Sequence, residues 1–124
     1  MWEALAFAAA KKLDNLVVLL DWNKRQLDGW AEDVLPMGDY VAKFEAFGFD
    51  TVKVDGGDVS AIAAALERTR SGAGKPFAII LDTVKGAGVQ EVADTVMNHS
   101  LPVSDEQYET WMARLKAQLA ALEG

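Results

Sequence analysis

Apolar positions along the chain recur at two periods, and their order already predicts an architecture. Trp2, Leu5, Ala6 and Ala9 fall at helical spacing in an alanine-rich stretch, predicting a helix over Trp2–Lys12 that packs closely on a sheet. No capping residue precedes it, so this helix either follows an upstream element or frays at its start. Leu16–Asp21 is a continuous apolar run ending in a carboxylate, the pattern of a parallel strand buried on both faces. Tyr40–Phe47 reads as a helix with Val41, Phe44 and Phe47 on one side, and Gly48 is placed to end it in a left-handed conformation. Thr51–Val54 is a β-branched strand, and Asp55-Gly56-Gly57-Asp58 is a turn whose last residue caps the next helix. That helix is expected to run to Arg70 with Val59, Ile62, Ala63 and Leu66 inward, until Ser71-Gly72-Ala73-Gly74 breaks it. Phe77–Thr83 is the third strand, followed by the glycine turn Lys85-Gly86-Ala87-Gly88. A capping box, Ser104 with Gln107, opens a last helix on which Tyr108, Trp111, Met112, Leu115, Leu119 and Leu122 form an apolar stripe expected to dock on a neighbour.

This alternation is that of an α/β fold, a parallel sheet with helices on both faces, in one domain over residues 1–124. Three strands make a small sheet, so at least one edge is expected to be exposed or paired elsewhere. Residues 22–39, containing Asp28-Gly29, Pro36 and Gly38, form a connection longer than the strands require, which points to a working loop.

Composition narrows the function classes. With 12 Lys+Arg against 19 Asp+Glu, a net charge of −7 and scattered basic residues, nucleic acid is not an expected partner. No apolar run approaches the ~20 residues that span a bilayer, so no membrane is expected. The absence of cysteine excludes disulfides, thiolate zinc and a thiol nucleophile, which suits a reducing cytoplasm. No basic segment with an apolar stretch behind it opens the chain, so a signal peptide is not expected.

Ligands of open parallel sheets collect at the carboxyl ends of the strands, here Asp21–Gly29, Asp55–Asp58 and Thr83–Gly88. The first segment is richest: Asp21, Asn23 and Asp28 offer the amide and carboxylate oxygens that Mg²⁺ or Ca²⁺ prefer, although Asn and Asp after a strand also serve as turn formers. His99 is the single histidine. None of Ser60, Ser71, Ser100 or Ser104 has the context of an activated nucleophile, and the Lys85–Gly88 turn lacks phosphate-loop spacing and leads into no clear helix.

The order of motifs goes further. Trp2-Glu3-Ala4, Lys12-Leu13-Asp14-Asn15-Leu16, Asp21-Trp22-Asn23, Gln26-Leu27-Asp28-Gly29, Phe44-Glu45-Ala46-Phe47-Gly48-Phe49, Val54-Asp55-Gly56, Lys75-Pro76, Thr83-Val84-Lys85-Gly86 with Gly88-Val89, and Asn98-His99 resemble the thiamine-diphosphate-binding domain of transketolases, particularly the split enzymes with separate N- and C-terminal subunits. The resemblance covers essentially the whole chain. It implies the latter part of such a fold, thiamine diphosphate with Mg²⁺ or Ca²⁺ as cofactors, sugar phosphates as substrates, and transfer of a two-carbon ketol unit between them.

Residue by residue, the resemblance implies that Asn23 and the backbone carbonyl of Arg25 are metal ligands. It also implies that Leu27 lies near the thiazolium and that His99 contacts the diphosphate and substrate. Glu3 matches a carboxylate of an interface network in which like charges share protons. Two departures stand out: Ser100 follows His99 where the family has glycine, and Gly57 stands where it has histidine. The family's Gly-Asp-Gly aspartate would precede Trp2. The chain is therefore expected to be inactive alone and to complete its site with another transketolase subunit or domain in a homo- or hetero-oligomer. The competing expectations are a non-catalytic scaffold module and another thiamine-diphosphate enzyme such as a deoxyxylulose-phosphate synthase. The motifs Lys12–Leu16 and Gln26–Gly29 favour the transketolase.

Overall fold

The computed structural model describes residues 1–72 and 74–123. Its elements in chain order are helix α1 (Trp2–Ala10), strand β1 (Val17–Trp22), short strands β2 (Arg25–Gln26) and β3 (Gly29–Trp30), helices α2 (Ala31–Val34) and α3 (Tyr40–Ala46), strand β4 (Asp50–Asp55), helix α4 (Val59–Arg68), strand β5 (Phe77–Asp82), and helices α5 (Gln90–Asp94) and α6 (Asp105–Glu123). Single 3-10 turns follow α4 and span Asn98–Ser100.

The main sheet has the order β1-β5-β4 and is parallel throughout. β5 is central because its Phe77–Ile80 run is apolar on both faces, and all four residues are buried. On one face Leu5 and Ala8 of α1 and Phe44 of α3 meet Ala78, Ile80 and Phe49, with Val18 and Leu20 of β1 packed alongside. On the other, Ala65 of α4 meets Phe77 and Ile79, flanked by Val17, Val52 and Val54. The expected parallel α/β sheet with helices on both faces is therefore present.

Several local expectations need correction. α4 turns Ala65 to the sheet, and of the predicted stripe only Ile62 is half-buried: Val59 is 79% exposed and Leu66 40% exposed, while Ala63 is also exposed. An alanine lets the helix approach the β-strands closely, and a larger residue there would hold it off. On α1 the buried pair is Leu5 and Ala8, with Ala6 outward. Residues 22–39 are not one loop, since β2 and β3 form a hairpin around Leu27-Asp28 and α2 follows directly. α5 begins two residues after Gly88, so the glycine turn does lead into a helix. α6 docks only through its first half: Trp111, Met112 and Leu115 are half-buried, whereas Tyr108, Leu119 and Leu122 are exposed. The expected breaker holds at Gly72, which is left-handed (φ 56°), while Ala73 lies outside the described residues.

The caps read from sequence are present. Asp58 Oδ1 accepts the N–H groups of Ser60 (2.8 Å) and Ala61 (3.0 Å), and Ser104 and Gln107 exchange hydrogen bonds of 2.9 and 3.2 Å. Asp58→Ala should accordingly cost about 1 kcal/mol, read as a lower urea midpoint with an unchanged slope.

Candidate functional site

Register brings Trp22, Asp82 and Asp55 level at the carboxyl ends of β1, β5 and β4. Asp82, on the central strand, is clasped from both sides: Lys24 Nζ donates to one carboxylate oxygen and Lys53 Nζ lies 2.7 Å from the other. Lys24 also donates to the Thr83 carbonyl (2.7 Å). Its backbone is left-handed (φ 62°), a conformation costing a non-glycine residue on the order of 1 kcal/mol that persists only where side-chain anchors over-determine it. Burial, and then the neighbouring Lys53 charge, push the Lys24 ammonium below its ordinary value, with Asp55 and Asp21 opposing. Thr83 donates its hydroxyl to Asp21, and Gly56 passes so close that an added Cβ would stand 2.2 Å from the Thr83 methyl. Asp21 and Asp82 are thus already engaged by the protein's own donors.

Beside this clasp lies a cleft of about 810 Å³, bounded by the Asn23–Arg25 loop with Trp30, the Thr83–Gln90 turn, and Trp111, Arg114 and Gln118 of α6. Asn23 forms an Asx turn: its Oδ1 accepts the Arg25 N–H at 2.9 Å, and its Nδ2 donates to Asp21 at 3.3 Å. The Arg25 guanidinium stacks 3.6 Å from the Trp30 ring centre and donates to the carbonyls of Ala93 (3.2 Å) and Thr95 (3.4 Å), fastening the loop to the end of α5. Its side chain therefore has a structural task separate from any use of its carbonyl.

The residues expected from sequence do not all converge. Asn23 and Arg25 line the cleft. His99 is exposed and outside that lining, but its Nδ1 is 3.1 Å from Nζ of Lys85, which does line it. Leu27 is 56% exposed at the hairpin tip, away from the cleft wall. Glu3 is almost fully exposed on α1, its carboxyl held below the ordinary value by a backbone hydrogen bond and by the Met1 amine at 3.6 Å. Lys24, Trp30 and Arg114 are not legible as site residues, because a lysine or arginine at such spacing reads as solvated surface and a lone tryptophan as packing, whereas Lys85 stands in the Thr83–Gly88 segment already singled out.

The far wall is held by an ion pair in which a single guanidinium nitrogen, Arg114 Nη2, donates to both Glu91 oxygens at 2.6 and 2.8 Å. A backbone hydrogen bond first, and Arg114 second, lower the Glu91 carboxyl below its ordinary 4.5. A carboxylate with a depressed folded-state value contributes stability that is present above the ordinary value and lost as pH falls through the lowered one. Acidification through and below pH 4.5 should therefore loosen α6 in the wild type, read as faster limited proteolysis of that helix. In Glu91→Gln this acid-dependent step should be diminished.

The donor set suits a hard cation only in part. Asn23 Oδ1 keeps one lone pair beyond its Arg25 bond, and an amide oxygen with a main-chain carbonyl suits Mg²⁺ or Ca²⁺ in kind. In number it falls short of the about six oxygens such ions take, and no group of three His, Asp or Glu among the described residues could hold a metal. These residues fit as part of a coordination shell.

Residues 1–120 match the family model described as the transketolase thiamine diphosphate binding domain. The 6-deoxy-6-sulfo-D-fructose transketolase subunit of Clostridium sp. (strain MSTE9) is 31% identical over 95% of this chain and 43% of its own length. An apulose-4-phosphate transketolase subunit of Actinobacillus succinogenes is 38% identical over 85% of this chain and 38% of its own. The crystal structure of Campylobacter jejuni transketolase superposes with a TM-score of 0.82 at 27% identity, covering 93% of this chain and 18% of that one. The chain thus spans less than half the length of each of these relatives.

Proposed function

The chain belongs to the transketolase family, whose thiamine-diphosphate-binding domain it matches over nearly its whole length, and on that premise we propose that it forms one wall of a transketolase site completed by another polypeptide or domain. The observation carrying this reading is the convergence of Asn23, Arg25 and the Thr83–Gly88 turn on one cleft at the carboxyl ends of a parallel sheet. Residues 1–124 act as a single unit, the latter part of the diphosphate-binding domain.

In this reading Asn23 Oδ1 and the Arg25 carbonyl would supply two of the oxygens that hold Mg²⁺ or Ca²⁺ beside the diphosphate. Lys85 and His99 would donate to diphosphate or substrate phosphate oxygens, and Leu27, exposed at the hairpin tip, would lie near the cofactor ring. Thiamine diphosphate, when bound, supplies the electron sink that lets a two-carbon ketol unit leave a ketose phosphate for an aldose phosphate. The exposure of Glu3 leaves its carboxylate available to a partner in a homo- or hetero-oligomer, and the subunit-type relatives support such a partner. No helix among the described residues is long and apolar enough to cross a membrane; a cytoplasmic location is part of the same proposal.

The test is calorimetric titration of thiamine diphosphate with Mg²⁺ into the chain alone and into the chain mixed with transketolase polypeptides that supply both the Gly-Asp-Gly segment and the pyrimidine-binding domain. Binding and ketol transfer are expected in the mixture and not in the chain alone, because the donor set is partial. Tight binding by the chain alone would contradict the shared site. Failure of transfer in every mixture would favour the scaffold alternative, for which the exposed Leu119 and Leu122 of α6 are the supporting observation.

A further inference from the structure

We propose that Lys85 is a positioning residue for His99, holding the neutral imidazole as the Nε2–H tautomer; the functional meaning of this inference rests on the reading above, its geometry does not. Lys85 Nζ stands 3.1 Å from His99 Nδ1. An ammonium has three donors and no acceptor, so the ring must accept at Nδ1 and carry its proton on Nε2. The opposite tautomer would face one N–H with another.

The pair is held by a closed loop of contacts. Asn98, adjacent to His99, is 9% exposed and donates from Nδ2 to the carbonyls of Lys85 (3.2 Å) and Val92 (2.9 Å). Both partners are acceptors, so the amide has one orientation; reversing it would set Oδ1 against two carbonyl oxygens. The main chain of Lys85 is thereby tied to the residue before His99, and its side chain returns to the ring. The turn beneath is closely packed: Gly86 is left-handed (φ 88°), and a Cβ there would stand 2.8 Å from Val92 Cγ1 and 3.0 Å from the Ala93 nitrogen. The consequence is chemical: Nε2 becomes a hydrogen-bond donor beside a cation, suited to a phosphoryl oxygen, and His99 does not act there as a base.

His99 is the single histidine of the 124 residues, so long-range ¹⁵N NMR reports one imidazole without ambiguity. At mildly alkaline pH, where imidazoles as a class are neutral, the wild-type ring should show an unprotonated Nδ1 and a protonated Nε2. The two signals should lie further apart than those of a free histidine peptide measured alongside. Lys85→Met should move both signals to the averaged positions of the peptide, and Lys85→Arg, which keeps a donor, should retain the wild-type pattern. Asn98→Ala should resemble Lys85→Met with the lysine in place. Should Asn98→Ala fail to give a dispersed amide spectrum, the half-exposed Lys85→Met decides alone. Ring signals unmoved by Lys85→Met, or a wild-type ring protonated at Nδ1, would overturn the proposal. Cofactor titration does not enter this measurement, so its failure and that of the transketolase reading are separable.

Discussion

Phe44→Ala should lower the unfolding free energy by about 3–5 kcal/mol, a large share of the roughly 5–15 kcal/mol that holds a domain of this size. Phe44 is 0% exposed, belongs to the same core cluster as Leu5, Ala78 and Ile80, and meets Phe49 edge-on with ring centres 5.4 Å apart. Truncation removes the buried ring and leaves a cavity that a sheet with stiff β-branched neighbours cannot collapse into. The measurement is urea denaturation with Val59→Ala as the control: Val59 is 79% exposed and its change should stay within about 0.5 kcal/mol. Comparable losses for the two variants would mean that the core is not centred where α3 meets β5.

The second large effect is expected at Asn23. In the reconstituted assembly, Asn23→Ala should weaken binding of the metal–diphosphate unit by about 10–100-fold, the range seen when a metal site loses a supporting group. The chain itself should lose no more than about 2 kcal/mol, the worth of the hydrogen bonds from the Arg25 N–H to Asn23 Oδ1 and from Asn23 Nδ2 to Asp21. Asn23→Asp keeps that acceptor and replaces the amide donor facing Asp21 with a second carboxylate, so it should retain metal affinity while being less stable in metal-free buffer. Unchanged affinity in Asn23→Ala would remove this residue from the ligand set, and an equal loss of stability and affinity would reduce its role to that of a turn former.

These two residues illustrate what could be read along the chain. Phe44 stands out because Val41, Phe44 and Phe47 repeat at helical spacing ahead of a glycine, and Gly48 does adopt a left-handed φ of 93°. Asn23 stands out because an amide follows a continuous apolar strand, where open sheets bind ligands. The β2–β3 hairpin was missed although Asp28-Gly29 is a hairpin signal, because strands of two residues carry no periodicity to pair with it. The inward face of α4 was misassigned because its apolar residues cover more than one stripe. The stripe that meets Phe77 and Ile79 is chosen by how closely alanine lets the helix approach.

The sequence by itself determined the kind and order of the main elements, the parallel α/β architecture, three of the caps and the resemblance to transketolases. These depend on local periodicity, on single residues at chain ends of helices, and on motifs of a few positions. Tertiary structure alone decided that β5 lies between β1 and β4, that Lys24 meets Asp82 across 58 positions, and that Lys85 meets His99 across 14. Such partnerships depend on strand order, register and loop closure acting together. Each is a sum of weak long-range terms, and no short window of residues records it.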